Sequence, residues 1–366
     1  MVLENGSASK QPKRMAKTIV IKIGSSSLTD PQGKLDTKNL KRVVAEIVKL
    51  IAQKTQVVLV TSGAIVCGAE KLGLGKPKTI PEKQAAAAVG QARLMRQYEK
   101  AFEEFGVTVA QVLLTRDAIA DRERYLNVRN TLNTLLAENV VPIINENDTV
   151  AIEELKIGDN DNLAALAASC IGADLLVIMT DVDGFYLKNE EGISYLVPEI
   201  KEITREVEEA AGHPSTQLGT GGMITKIQAA KICSDAGVHL AIINSRKLDL
   251  LTKLAGGEKI GTLFIPKVSK LESRKRWLAH GLKPEGTLMI DPGAEAALIK
   301  NGKSLLPVGV KTIKGNFQAG ALVAVTDETG KELARGLVNL SSQELKGVIG
   351  RKDVGEAIHR DNLVIL

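Results

Sequence analysis

Aromatic residues are scarce in this chain: one Trp, four Tyr and five Phe make up 3% of it. Surfaces that read single-stranded nucleic acid stack bases on aromatic side chains, so the composition argues against that role. Cysteine is rarer still, at three residues. Cys67, Cys170 and Cys233 lie far apart in apolar or helical surroundings and form no C-x-x-C pair. That pattern argues against zinc or a redox couple and points to buried thiols in a reducing compartment. No apolar run approaches the length of roughly 20 residues that spans a bilayer, and residues 1–16 are polar, without a signal-like apolar core. The expectation is a cytoplasmic chain with no membrane partner. His213, His239, His280 and His359 are scattered, so no Ser-His-Asp arrangement and no evident general base is visible.

What is present suits a globular protein. The length of 366 residues exceeds twice a domain of roughly 150, which predicts two domains. The chain is 44% hydrophobic and 25% charged, far from disordered or collagenous composition. Its net charge of +5 is uneven: +3 falls in residues 1–17, +4 in 270–366 and −2 between them. A basic excess that small is weak evidence for nucleic-acid binding.

From Thr18 onward, short β-branched runs alternate with helical segments. The runs are 18–23, 56–61, 107–114, 140–145, 174–180 and 238–244; within 36–53, Leu40, Val43, Val44, Ile47, Val48 and Leu50 recur at helical spacing. This predicts an α/β fold, an open, mainly parallel sheet sandwiched by helices, with strands buried on both faces. After IGTLFIP (260–266) comes a charged connector, 267–276, and then short strand-like pieces at 286–290, 321–325 and 336–340 with one clear helix near 292–301. A small, mostly β second domain is expected there.

Ligands of open parallel sheets gather beyond the carboxyl ends of the strands. Here those ends read KIGSSSLTD (22–30), TSGAIVCG (61–68), NENDTV (145–150) and TDVDG (180–184), with KIGDNDNLAALA (156–167) beyond the fourth run. Gly24 and Gly63 stand at handovers from strand to loop or helix, where backbone N–H groups either meet an anion or simply serve a turn. LGTGGMITK (218–226) departs from a P-loop, because Lys226 comes four residues after Gly222. A lysine in the first turns of a helix opposes the macrodipole, and a nearby phosphate would account for it. Lys22 is the one charge in an apolar strand; it either snorkels from the strand end or faces a phosphate. Two lysines, glycine-rich loops and no evident base suit phosphoryl transfer to a nucleophile already ionised at neutral pH, such as a carboxylate.

KIGSSSLT, VTSGAI, AAVGQARL (87–94), LLTRDAIADRERYLN (113–127), PIINENDTV, KIGDNDNLAALAA, MTDVDGFY and LGTGGMITK run in order over nearly all of 18–265. Together they closely resemble the glutamate 5-kinases of the amino-acid kinase superfamily. SRKRWLAHG (273–281), GNFQAGALV (315–323) and HRDNLVIL (359–366) resemble the PUA domain that many bacterial members carry. PUA domains elsewhere bind RNA; that role is not transferred here. The resemblance implies a kinase domain at 17–265, a linker at 266–281, a PUA domain at 282–366 and a disordered extension at 1–16.

It further implies that ATP, with Mg²⁺ bridging its phosphates, phosphorylates L-glutamate to γ-glutamyl phosphate at the head of proline biosynthesis. The implied catalytic residues are Lys22 on the transferring phosphoryl group, Lys226 neutralising developing charge, and Asp161 organising the two lysines or the metal. Ser62, Gly63, Asp148 and Asn160 would bind glutamate, with Asp148 toward its ammonium; Asp148 read alone would also suit a turn or a helix cap, and Asn160–Asn162 a capped helix start. Gly24, Thr180 and Asp181 would line the nucleotide, and Thr220, Gly221, Gly222, Met223, Ile224, Thr225 and Lys226 would cradle its phosphates. The metal ligands stay unassigned. Such enzymes are commonly homo-oligomers, dimers or tetramers, inhibited by proline. Ser25 stands where some members carry Thr, which keeps the hydroxyl. Rival readings are another acceptor (aspartate, a nucleoside monophosphate, carbamate or isopentenyl phosphate), or an RNA-binding relic of a kinase. Aspartate is the least firmly excluded, since one methylene discriminates only about 10- to 200-fold.

Overall fold

The structure is a computed structural model that describes residues 16–115, 122–150, 160–212, 222–247, 249–269, 272 and 284–366. The chain divides into two compact units, Met1–Lys267 and Val268–Leu366.

The larger unit is built on an eight-stranded sheet. Its strands are β1 (Thr18–Ile23), β2 (Gln56–Val60), β3 (Val109–Leu114), β4 (Val141–Glu146), β5 (Leu175–Thr180), β8 (Glu199–Ile200), β9 (His239–Asn244) and β10 (Thr262–Phe264), in the order β3-β4-β2-β1-β5-β9-β10-β8. A two-stranded hairpin, β6 (Tyr186–Lys188) with β7 (Ser194–Leu196), stands apart from the sheet. The six strands from β3 to β9 run parallel. β10 is antiparallel to β9, a departure from the run of parallel strands, because a three-residue strand gives no local signal of its direction.

Alternation along β1 sends its side chains to two cores. Ile19, Ile21 and Ile23 pack with Val57, Leu59, Val177 and Met179 under helices Thr37–Ala52, Ala64–Leu72, Ile80–Glu103 and Leu250–Ala255. Val20 joins Val58, Val60, Leu176 and Ile178 on the opposite face, under helices Arg122–Ala137, Asn160–Ile171, Arg205–Gly212 and Met223–Ala236. Burying each such Ile or Val contributes about 1.5–3 kcal/mol. Lys22 shares the parity of Val20 and pairs in register with Val60 and Ile178. Its side chain is therefore delivered to the face where helices Asn160–Ile171 and Met223–Ala236 begin.

The chain leaves β1 toward β2 on one side and reaches β5 on the other, which makes the carboxyl end of β1 the topological switch point. Behind it, helices Ala64–Leu72 and Ile80–Glu103 cross with their backbones in contact. A Cβ at Gly68 would lie 1.7 Å from the Ala86 carbonyl, and one at Gly90 1.7 Å from the Ala64 carbonyl. Thr79 and Glu82 form a capping box at the start of the longer helix, which satisfies two of its orphan N–H groups.

The smaller unit holds a five-stranded sheet of β11 (Gly286–Ile290), β12 (Val310–Lys314), β13 (Leu322–Thr326), β14 (Glu332–Leu337) and β15 (Leu363–Ile365), ordered β12-β11-β13-β14-β15. Leu288, Ile290, Val323, Val325, Ala334 and Phe317 form its core. Besides the expected helix, seen at Pro292–Ile299, it contains a second at Ser342–Val348, opened by a Ser341–Glu344 capping box. At seven residues, that helix is too short for its apolar spacing to stand out. β14 lies upstream of the expected 336–340, because the apolar run continues past the last paired residue.

Candidate active site

Lys22 does not snorkel. It is 7% exposed, and its Nζ lies 2.6 Å from Oδ1 of Asp161, itself 1% exposed. Lys226, 5% exposed, approaches the other carboxylate oxygen at 3.1 Å. The Thr225 hydroxyl is 2.7 Å from that same oxygen and 2.8 Å from the Gly222 carbonyl. Burial pushes the Asp161 carboxyl up, but the Lys22 and Lys226 ammonium groups and their hydrogen bonds outweigh it and hold the acid well below the usual carboxylate range. The trio carries a net charge of +1 in a buried setting, where charge is costly unless paired. Gly222 heads helix Met223–Ala236 without a side-chain cap, so the helix N-terminus adds its own positive potential. A helix start with two lysines beside it suits an anionic ligand.

Neighbouring strand ends supply further residues expected at this site. Gly24 donates its N–H to the Met179 carbonyl at 3.3 Å, and a Cβ at Gly24 would sit 3.4 Å from the Lys22 ammonium. Thr180, at the end of β5, donates to Asp181 at 3.0 Å, and its carbonyl accepts from Ser245 N–H at 2.7 Å. Gly222, Met223, Ile224 and Thr225 open the helix that carries Lys226. Thr220 and Gly221, expected in the phosphate cradle, lie outside the described residues.

Asn160 precedes Asp161 at the start of the same helix and faces the other way. Its Nδ2 reaches the Thr61 carbonyl and Ser62 Oγ at 2.9 Å each, and Asn145 Oδ1 at 3.2 Å. Its Oδ1 is buried without a partner among the described residues. Gly63, at φ +104°, turns the chain from Ser62 into helix Ala64–Leu72, a left-handed conformation that favours glycine. Asp148 sits half-buried in the turn after β4, and burial pushes its carboxyl up to about 6. Desolvating a carboxylate favours its neutral form, which is the cause of the rise. The structure thus joins Ser62 with Asn160, and Lys22 with Asp161, Thr225 and Lys226.

Sequence reasoning missed the supports of this site. Asn145 at the end of β4 and Gln91 in helix Ile80–Glu103 back Asn160, and Tyr98 meets the Thr61 hydroxyl at 2.8 Å. Arg42 is held by Asn39, the Ser245 carbonyl and the Arg246 carbonyl, while Asn39 donates to the Ser27 carbonyl at 2.5 Å. The loops after β1 and β9 are tied together in this way. AAVGQARL contained the signal for Gln91, a polar residue beside a glycine in an otherwise small-residue helix.

Residues 17–244 match the model of the amino acid kinase family, and residues 286–359 match that of the PUA domain. The glutamate 5-kinase of Thermoanaerobacter sp. (strain X514) is 51% identical over 362 residues, covering 95% of this chain and 97% of the relative. That of Geobacter sulfurreducens is 48% identical over 364 residues, covering 96% and 98%. Among solved structures, a carbamate kinase from Giardia lamblia bound to AMP-PNP aligns with a TM-score of 0.50 at 20% identity, covering 69% of this chain and 99% of that one, a likeness of fold. Two oppositely facing polar clusters at the switch point of a parallel sheet, together with these matches, place the chain in the amino acid kinase family, among the glutamate 5-kinases that carry a PUA domain.

Proposed function

We propose that this chain transfers the γ-phosphoryl group of ATP to the γ-carboxylate of L-glutamate, giving L-glutamyl 5-phosphate and ADP, the first step of proline biosynthesis. The observation that carries the reading is the adjacency of Asn160 and Asp161. One helix start serves an acceptor pocket on one side and two ammonium groups on the other.

The chemistry follows from charge. A glutamate γ-carboxylate, with a pKa near about 4.3, is ionised at neutral pH and needs no base. Lys22 and Lys226 offset the charge of the transferring group and leaving oxygen, with Asp161 holding both in place. The only hydrogen-bond donor on glutamate at neutral pH is its ammonium group. Two acceptors are read as meeting it, Asp148 and the Oδ1 of Asn160, which has no partner among the described residues. Ser62 Oγ, which accepts from Asn160, has its proton left to donate to a substrate carboxylate. Gly24, Thr180, Asp181 and the 220–226 segment are read as the nucleotide side.

No group of three or more His, Cys, Asp or Glu among the described residues is placed to hold a metal, and both Asp161 oxygens face the lysines. These residues do not fit a protein-held ion, and Mg²⁺ is read as arriving on the ATP phosphates. The same reading takes 17–265, 266–281 and 282–366 as kinase domain, linker and PUA domain. It also includes cytoplasmic location, a homodimer or homotetramer, and inhibition by proline. Among the described residues no helix is long and apolar enough to cross a membrane.

The test is ADP release with Mg-ATP and L-glutamate, L-aspartate or UMP as acceptor. Release with glutamate well above the other two is expected; equal or greater release with UMP would overturn the assignment.

A further inference from the structure

Asn160 is the last link in a chain of amides that reaches 49 positions back along the sequence to Gln111. Gln91 Nε2 donates to Gln111 Oε1 on β3 at 3.2 Å, Asn145 Nδ2 donates to Gln91 Oε1 at 2.8 Å, and Asn160 Nδ2 donates to Asn145 Oδ1 at 3.2 Å. Every link has the same polarity. Asn145 Oδ1 also accepts from Glu146 N–H at 2.9 Å, so its acceptor capacity is filled from two sides. With the amide NH₂ of Asn160 directed to Thr61, Ser62 and Asn145, its buried Oδ1 has no partner among the described residues. The chain of amides therefore leaves an acceptor, rather than a donor, unpaired at this helix start among the described residues.

Gln91 is well placed to hold that polarity. It follows Gly90, whose Cα lies against the Ala64 carbonyl so closely that a Cβ would fall 1.7 Å from it. Ala64 begins the helix that follows Ser62 and Gly63. Helix Ile80–Glu103 thus meets the start of helix Ala64–Leu72 through Gly90 and the end of β4 through Gln91.

We propose that Gln91 is a positioning residue for substrate specificity: by accepting from Asn145 it fixes the Asn145–Asn160 amide pair so that Asn160 presents an acceptor to the ammonium group of the phosphoryl acceptor. The inference rests on the reading of the pocket as an amino-acid site. Gln91 touches no substrate in this scheme and acts through Asn145.

The test is steady-state kinetics of full-length Gln91→Met and Gln91→Glu, with L-glutamate and with glutarate, which lacks the ammonium. Gln91→Met leaves the buried Asn145 amide without an acceptor. It is expected to raise the glutamate KM by roughly tenfold, the ordinary effect of one unpaired buried donor, while the ATP KM stays within about twofold and the preference for glutamate over glutarate shrinks. Gln91→Glu keeps an acceptor toward Asn145, and the exposed Gln111 amide turns to donate, so the glutamate KM is expected within about threefold of wild type. An unchanged glutamate KM in Gln91→Met, or equal rises in both KM values, would overturn the role. So would equal damage in both variants. If Gln91→Met fails to fold, Gln111→Leu breaks the chain at an exposed position, and a glutamate KM that does not move there is the contrary result. A wild-type protein with no glutamate turnover would instead remove the reading of the pocket itself.

Discussion

Removing the charge of Asp148 is expected to stabilise the empty protein while destroying its affinity for glutamate. Burial raises this carboxyl from 3.8 to about 6, a shift of about two units, and each unit corresponds to about 1.4 kcal/mol. The ceiling is therefore about 3 kcal/mol; because the residue is half-buried, solvent screening reduces it to on the order of 1–2 kcal/mol. The sign follows from linkage. A folded-state pKa above the unfolded value means that the folded protein holds a proton that the unfolded chain has released, so this group's contribution is fully present below pH 3.8 and is lost as pH rises through about 6. Asp148→Asn keeps the shape without the charge. It should match wild type near pH 4 and exceed it above pH 7, a melting-temperature gain of about 2–4 °C per kcal/mol for a unit of this size. Scanning calorimetry without ligand, from pH 4 to 8, measures the gap. Added glutamate should then raise the wild-type melting temperature by mass action and leave Asp148→Asn nearly unmoved. A gap that is the same at pH 5 and pH 8, or a variant less stable than wild type at pH 8, would refute the reasoning.

Lys226→Ala should lower kcat by roughly 10²- to 10³-fold, the range for removing one group that stabilises developing charge; steady-state kinetics showing only a raised ATP KM would contradict it. Asp161→Asn strips the shared partner from two buried ammonium groups and should cost about 3–5 kcal/mol of stability, as breaking a buried pair does, together with most activity. Since Asp161 is held well below the usual range, its stabilisation is present above pH 3.8 and is lost only as pH falls through its lowered folded value. Wild type and Asp161→Asn should therefore differ by a constant amount from pH 6 to 8 in thermal unfolding. Gly90→Ala would drive a Cβ to 1.7 Å from the Ala64 carbonyl and should destabilise by about 3 kcal/mol or more, with urea unfolding as the measurement.

The sheet was legible because its central strands are buried on both faces and read as unbroken β-branched runs, for example β5, where every residue is buried. Lys22 stood out as the single charge in such a run, and the parity of β1 explains why it meets Asp161. Other features depend on contacts that leave no local pattern. Gln91 and Asn145 are separated by 54 positions, and neither an in-helix Gln nor a strand-end Asn carries a periodic signal. The crossing at Gly68 and Gly90 looks, in sequence, like two poor helix residues; only the approach of two backbones gives them a reason. The hairpin of β6 and β7 leaves no signal in the sequence, because three-residue strands are shorter than any useful hydrophobic window. For Asn160 and Asp161, the expected helix start is seen: the helix opens there, and both side chains are buried.

In the proposed reaction, an ionised side-chain carboxylate of glutamate attacks the terminal phosphorus of ATP between Lys22 and Lys226. The most direct measurement follows oxygen. L-glutamate labelled with ¹⁸O in its γ-carboxylate is turned over with Mg-ATP and hydroxylamine, and the released phosphate is read by its ³¹P isotope shift. Attack by the carboxylate forms an acyl phosphate whose bridging oxygen came from glutamate; hydroxylamine then breaks the carbon–oxygen bond, and one ¹⁸O leaves with each phosphate beside an equal amount of hydroxamate. Phosphate without label, or ADP formed without hydroxamate, would contradict it.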